Sequence, residues 1–500
     1  GEINLFRLDT ENEPVKVMYT SLYLSVYTAN LVIHYFDKQD ATPFMKQAVA
    51  EARVLRAYDY LLLANYWGTP PMVLDLLPGD ALPTNSDLDE NYKYSQQDIY
   101  KWVAKECEAA VPSLITRGDV NDKNATVRVS TGFANALAGK AYMFAGEKSA
   151  ALTALKKVID SGKYALVPGE RYWENFHVEG DCNEEKIFEG NFEYNAGKGG
   201  WSGGLQRSTW MEANCFNWRA GNFATNPGKV YSGIDGWGSV GVPLWFGEEF
   251  FANDGHSYRF DATLKHIDDV VYNMPYPDDK INNMTLDQKK ASKEIGISDV
   301  GQGLYGQSFW MPFKNIVRKQ DCLKQDGSGY ADGDNCRMNN IIVMRYAEVL
   351  LLYAEACLGS NDGEAKWAVN EIRKRAGISE LGSVTLETIK KEKSYELWFE
   401  GCRFQDVLRW NDADAKARLA KHGQAVPHMF DKLFRAPQSS DANIIWENGT
   451  EANSRFYMVH THEAVDAGFQ CGFVEGKHNL FPFPQTVIDK NPNLRQNPGW

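Results

Sequence analysis

The densest run of ionisable side chains is Glu396, Glu400, Arg403, Asp406 and Arg409. Helical spacing would put Glu396 and Glu400 on one face. Two acids flanking a glycosidic bond are the machinery of sugar hydrolysis. Arg403 lies within seven residues of both on the same expected helix, so the spacing favours ion pairs that hold helices together over a catalytic pair.

A second chemistry resides in aromatic rings. Trp201, Trp210, Trp218, Trp237, Trp245 and Trp310 all fall in Gly- and Asn-rich sequence, with Tyr231, Tyr258, Tyr305 and Tyr330 nearby. A sugar ring has an apolar C–H face and a rim of hydroxyls. A flat indole or phenol matches the face, and Asn, Asp and Arg match the rim. Asn214, Asn217, Arg219 and Asn222 interleave with these rings. For any single tryptophan, plugging a small core of its own loop is the competing reading, whereas the cluster predicts at least two exposed platforms. The candidate carbohydrate-binding residues are Trp201, Trp210, Trp218, Trp310, Tyr305, Asn217 and Arg219. Trp67, Trp102, Trp367, Trp398 and Trp410 sit in helical patterns and are expected in the core.

Other chemistries find less support. The loop at 326–335 places Asp326, Ser328, Asp332 and Asp334 at alternate positions, but Arg337 stands near where a calcium loop needs a bidentate Glu, so a solvated turn is favoured. His460 and His462 would face one way on a strand, yet no third zinc ligand accompanies them. The eight cysteines form no CxxC pair. Cys322 and Cys336 could bridge in an oxidising compartment, with free thiols the leading alternative. No phosphate-binding loop and no convincing dinucleotide fingerprint is present, and no cofactor is expected.

The elements that position these residues are mainly helical. Apolar residues predict a helix over about 14–36, and Thr42 and Pro43 open another that Gly68 and Pro70-Pro71 close. Further helices are expected over 95–114, over the small-residue stretch 131–146, and over 150–159. Residues 180–335 then lose periodicity, apart from a short strand within 187–194. Helical spacing returns at Ile341, again after Gly359, and a last helix runs from a Thr385 cap through Trp398 towards Trp410. Paired short helices of this kind suggest tetratricopeptide-like stacking into an α-α superhelix, with a long irregular insertion carrying short strands. The chain reads as a single unit over 1–500. It comprises helix pairs at 14–165, an aromatic insertion at 180–335, helix pairs at 340–420 and an irregular region at 421–500.

With 500 residues, 43% of them hydrophobic, the chain can bury a large core without disulfides or metals. A net charge of −13 repels phosphate backbones, so nucleic acid is not an expected partner. No apolar run reaches the length of a spanning helix, and the chain opens polar, GEINLFRLDT.

Four segments are more specific. They are EARVLRAYDYLLLANYWGTPPMV (51–73), MRYAEVLLLYAEACL with AVNEIRKRAGI (344–378), IKKEKSYELWFEGCRFQDVLRW (389–410) and LFPFPQTVIDKNPNLRQNPGW (480–500). In content and order the chain resembles SusD/RagB-like outer-membrane lipoproteins over nearly its whole length. Residues 236–264 resemble the family's middle region, with His256-Ser257-Tyr258-Arg259 departing from its usual Asp-x-Arg-like turn. Trp237 and Trp245 fall in that shared segment and lean structural. The resemblance implies four tetratricopeptide-like helix pairs and a lipid-anchored place on the outer face of the outer membrane. It further implies a non-catalytic role, capturing oligosaccharide and delivering it to a TonB-dependent SusC-like transporter. The alternatives are a peptide-binding RagB-like member of the same family and an all-α glycoside hydrolase.

Overall fold

The computed structural model describes residues 3, 5–85, 92–191, 215–227, 229, 235–324, 327–329, 337–421, 426–441, 443–461 and 472–500. Helix α1 (Glu13–Phe36) opens on Asn12, whose side chain accepts from the Val15 N–H. Helix α2 (Pro43–Trp67) opens on Thr42, which accepts from the Met45 N–H, with Pro43 at its first position. Helix α3 (Gln96–Ala110) begins with a capping box between Ser95 and Asp98. A single turn, α4 (Asn124–Val127), precedes the pair α5 (Thr131–Phe144) and α6 (Lys148–Asp160). Each of α1, α2, α3, α5 and α6 packs on the next, and α6 then packs on α9 (Tyr346–Cys357), which pairs with α10 (Asp362–Ala376). Gly139 permits the α5–α6 approach, because a Cβ there would lie 2.4 Å from Leu155 Cγ.

Tyr60, Leu63, Trp67, Ile99, Phe133, Leu351 and Val369 belong to one continuous core that runs through these stacked pairs. The chain end is strapped onto it. Trp67 Nε1 donates to the Pro482 carbonyl at 2.9 Å, Asn497 Nδ2 donates to the Phe481 carbonyl at 2.7 Å, and Gly68 (φ 73°) turns the chain beneath Leu480. No described helix is long and apolar enough to cross a membrane.

A second core gathers Trp218, Val270, Ile297, Phe309 and Met311 from the insertion with Met429, Phe456 and Met458 from the C-terminal region. Its backing is a four-stranded sheet in the order β3 (Leu304–Tyr305), β6 (Val426–Asp431), β8 (Phe456–Thr461), β7 (Ile445–Trp446). The region expected to be irregular thus carries strands. VPHMFD and FYMVHT alternate faces, with Met429, Phe456 and Met458 turned into the core. Two small pairs complete the strands: β1 (Lys186–Gly190) with β5 (Ile341–Arg345), and β2 (Leu264–His266) with β4 (Trp310–Pro312).

Two expected helices are shorter than their periodicity suggests. Ile341–Arg345 is β5, because the β-branched run Ile341-Ile342-Val343 pairs with β1, and α9 starts only at Tyr346. The Thr385-capped helix α11 (Leu386–Glu396) stops at a turn where Phe399 (φ 64°) and Gly401 (φ 77°) are left-handed. Helix α12 (Arg403–Arg409) follows, and α13 (Ala413–Ala420) after it. Trp67 is buried as expected, whereas Trp367 is exposed.

The two cores meet at a buried charge network. Glu396 accepts from Arg345 Nη1 at 2.6 Å and from Arg375, and lies 3.5 Å from Arg259 Nη1. Arg259 lies on α8 (Tyr258–Thr263) and also binds Asp254, the last residue of α7 (Leu244–Asp254), at 2.7 Å and Glu392 at 2.5 Å. Arg345 reaches Glu185 at 2.6 Å and Glu400 at 2.7 Å, and Lys314 reaches Glu400 at 2.6 Å. The acids Glu185, Asp254, Glu392, Glu396 and Glu400 are matched by Arg259, Lys314, Arg345, Arg373 and Arg375. Burial works to raise the Glu396 pKa, but Arg375, Arg345 and Arg259 override it and hold the carboxyl far below its usual range.

Glu396→Gln leaves Arg345 and Arg375 short of a counter-charge and is expected to cost about 3–5 kcal/mol in urea denaturation. A loss below about 1 kcal/mol would contradict the assigned role. A second expectation concerns Asp59, which burial raises to about 7 against a hydrogen bond with Ser25. Its Oδ2 has no hydrogen-bond partner among the described residues. A carboxyl raised on folding holds its proton more tightly in the native state, so stability falls as pH climbs from about 4 through 7. Asp59→Asn should therefore raise Tm at pH 8.5 and change it little at pH 5.

Candidate functional site

The insertion's described aromatic residues fall into two groups. Trp218 is buried and its Nε1 donates to the Pro312 carbonyl at 3.0 Å. Trp310 is 7% exposed, packed edge-on against Phe260 (5.4 Å) and His266 (4.8 Å) and lying over Gly247. Asn217 is buried, its amide donating to the Val317 carbonyl at 2.8 Å and accepting from the Val317 N–H at 2.7 Å. Trp218 belongs to the second core, Trp310 to an adjoining apolar cluster with Phe250, Phe260 and Tyr395, and Asn217 is held by its hydrogen bonds to Val317. Their burial contradicts the expected surface contact: indoles this large are drawn into a core assembled from distant segments. Trp201 and Trp210 lie outside the described residues, as does Cys336 of the possible Cys322–Cys336 bridge. Much of the acidic loop and His462 lie outside them too.

Tyr305 and Arg219 are on the surface. Tyr305 is 43% exposed on β3, in register with His428 of β6. The two rings meet edge-to-face, with centroids 4.8 Å apart. His428 Nδ1 lies 3.0 Å from the Gln302 carbonyl. A carbonyl can only accept, so Nδ1 carries a proton. On the next strand position of that face, Phe430 is sealed by the Arg435 guanidinium, 4.1 Å from its ring centroid, and Arg435 is held by Asp441. Rings on this sheet face thus grade from buried at Phe430 to exposed at Tyr305.

The segment carrying Trp237 adjoins this edge. Gly236 and Gly238 donate to the carbonyls of Trp218 and Asn217, at 3.0 and 2.9 Å. On its other side, Gln307 Nε2 donates to the Gly238 and Val240 carbonyls, at 3.0 and 2.9 Å. The backbones pass so closely that a Cβ on Gly241 would lie 1.9 Å from the Gly306 oxygen. Trp237 is 43% exposed, and Arg219, beside Gly238, is exposed. Buried Asn217, Trp218 and Gln307 therefore fix the backbones that present Arg219, Trp237 and Tyr305. This arrangement offers ring faces and a guanidinium to a flat, hydroxyl-rimmed ligand.

Trp237 was expected to be structural and His428 was not singled out. The pattern that could have found them is a ring flanked by Gly236 and Gly238, and the alternation in VPHMFD. Trp245 is also half-exposed, but the Arg418 guanidinium sits 4.3 Å from its ring centroid. Glu396 and Glu400 are committed to arginine and lysine, and Glu400 lies beyond the end of α11.

Stacked tetratricopeptide-like helix pairs joined to a ring-presenting insertion define a helical scaffold that carries its surface site on loops. Residues 208–500 match the SusD family, and residues 5–144 match a family described as starch-binding associating with outer membrane. This chain belongs to the SusD family. A SusD-like protein of Bacteroides ovatus is 23% identical over 525 aligned residues, spanning 99% of this chain and 82% of that one. A laminarin binding SusD-like protein shares the fold with a TM-score of 0.70 at 19% identity, over 99% of this chain and 88% of that structure. Surface glycan-binding protein A from Bacteroides thetaiotaomicron in complex with laminarihexaose gives 0.64 at 19% identity, over 96% and 85%.

Burial separates the ring residues by stability. Trp310→Ala should cost about 3–5 kcal/mol, and Tyr305→Ala about 0.5 kcal/mol or less, in parallel chemical denaturation. Equal costs would contradict the assignment of Tyr305 to the surface.

Proposed function

We propose that this chain is a non-catalytic glycan-capturing protein of the outer-membrane surface, and that it passes oligosaccharide to a SusC-like TonB-dependent transporter. The observation that carries the reading is the pairing of exposed Tyr305 and Trp237 with exposed Arg219 on backbones fixed from beneath. Membership of the SusD family supports it, as does the N-terminal match to a family described as starch-binding associating with outer membrane. Structural relatives bearing laminarihexaose and a xylogluco-oligosaccharide support a glycan over a peptide ligand. Trp218, Trp310 and Asn217 support the proposed surface from within. Attachment to the membrane would be through a lipid anchor. Commitment of Glu396 and Glu400 to buried ion pairs favours binding without hydrolysis.

Calorimetric titration with laminari-, xyloglucan and malto-oligosaccharides tests this. One glycan class should bind without release of reducing ends. Tyr305→Ala and Trp237→Ala should each weaken binding by about 1–2 kcal/mol, roughly 5- to 30-fold. Absence of glycan binding, or turnover of the glycan, would overturn the reading.

A further inference from the structure

A second cluster of chemically capable side chains lies where the insertion meets the C-terminal sheet, apart from the ring-bearing edge. His266 ends β2, Asp268 follows two residues later, and Glu447 comes directly after β7. One ligand atom from each of these three residues lies within 4.8 Å of the other two. All three side chains are half-buried. Each is positioned by the fold. His266 pairs across the β2–β4 ladder with Trp310 and meets that indole edge-on. The Asp268 N–H lies 3.3 Å from His266 Nδ1, and because a neutral imidazole has a single lone-pair nitrogen, a cation bound to the ring would replace this contact at Nδ1. The Glu447 N–H donates to the Phe456 carbonyl at 3.3 Å, fixing the chain as it leaves β7.

The cluster is short of positive charge. Among the described residues, no lysine or arginine forms an ion pair with Asp268 or Glu447. The guanidinium of nearby Arg455 is taken by Asp431 at 2.7 Å and by the carbonyls of Lys289 (2.8 Å) and Ser292 (3.0 Å). Glu447 Oε1 is enclosed and has no hydrogen-bond partner among the described residues. The Glu447 carboxyl is hydrogen-bonded to that of Asp268, so one proton lies between the two acids, and a bound cation would take its place.

We infer that His266, Asp268 and Glu447 form a binding site for one divalent cation of the zinc class, joining the insertion to the C-terminal sheet. The donor set selects the ion. Calcium takes six to eight oxygens, whereas one imidazole with two carboxylates suits a borderline metal that accepts three protein ligands and a water. The ion would act structurally, tying the β2 end to the β7–β8 turn. The inference does not depend on the glycan reading.

Titration of the EDTA-treated full chain with zinc chloride, followed by calorimetry and thermal melting, tests it. One zinc per chain should bind with a rise in Tm, and calcium chloride should give no rise. Glu447→Gln and Asp268→Asn keep side-chain size while removing charge, and each should weaken zinc binding at least tenfold. Glycan affinity should be unchanged in both. Lack of saturable zinc binding to the wild-type chain, or undiminished binding in both variants, would overturn the inference.

Discussion

The balanced set of buried charges around Glu396 is the constraint on which the rest of the structure depends. Its members come from Glu185 ahead of β1, the end of β5, α7, α8, α10, α11 and the segment after β4. Those elements belong to both cores. Desolvating charged groups costs several kcal/mol each, so the arrangement is stable only when every partner is in place. The network acts as a registration device: the insertion can dock on the helix pairs in one way only, because any other leaves a buried charge without its mate. Tyr172 packs beneath it, with the Arg375 guanidinium 4.5 Å from its ring centroid.

Docking of the insertion is what gives the surface its shape. The second core is assembled from residues 218–316 together with 429, 456 and 458, and its backing sheet pairs β3 from the insertion with β6 from the C-terminal region. Tyr305 reaches its place beside His428 only because β3 adds to that sheet. Trp237 is held by a segment clamped between residues 215–218 and Gln307. Two exposed rings thus depend on contacts between stretches far apart in sequence. A surface on loops fixed by a rigid scaffold can vary its ligand without disturbing the fold.

Much of the scaffold was legible in the sequence, and the reason is local. Thr42 with Pro43, Ser95 with Asp98, and the Gly68 stop are signals carried by neighbouring residues, and the helices begin and end there. The family motifs likewise mark short helical stretches and a C-terminal strap. Long-range pairing was not legible. Ile341–Arg345 has apolar spacing compatible with a helix but is drawn into a strand by β1. The sheet formed by β6 and β8 escaped notice because half of each strand faces a core supplied by another region. Burial of single tryptophans was equally hidden. Trp218 and Trp237 look alike in composition, yet one donates to a carbonyl inside the core and the other lies on the surface.

The central claim is that exposed rings at the edge of the β3–β6 pair, and not the helix faces, receive a glycan. A crystal structure of the chain with a bound oligosaccharide tests it most directly. The account predicts a sugar ring lying flat against Tyr305 or Trp237, with a hydroxyl within hydrogen-bond distance of Arg219. Sugar density seated elsewhere, for example along the exposed face of α1, with the Tyr305 edge bare, would contradict it.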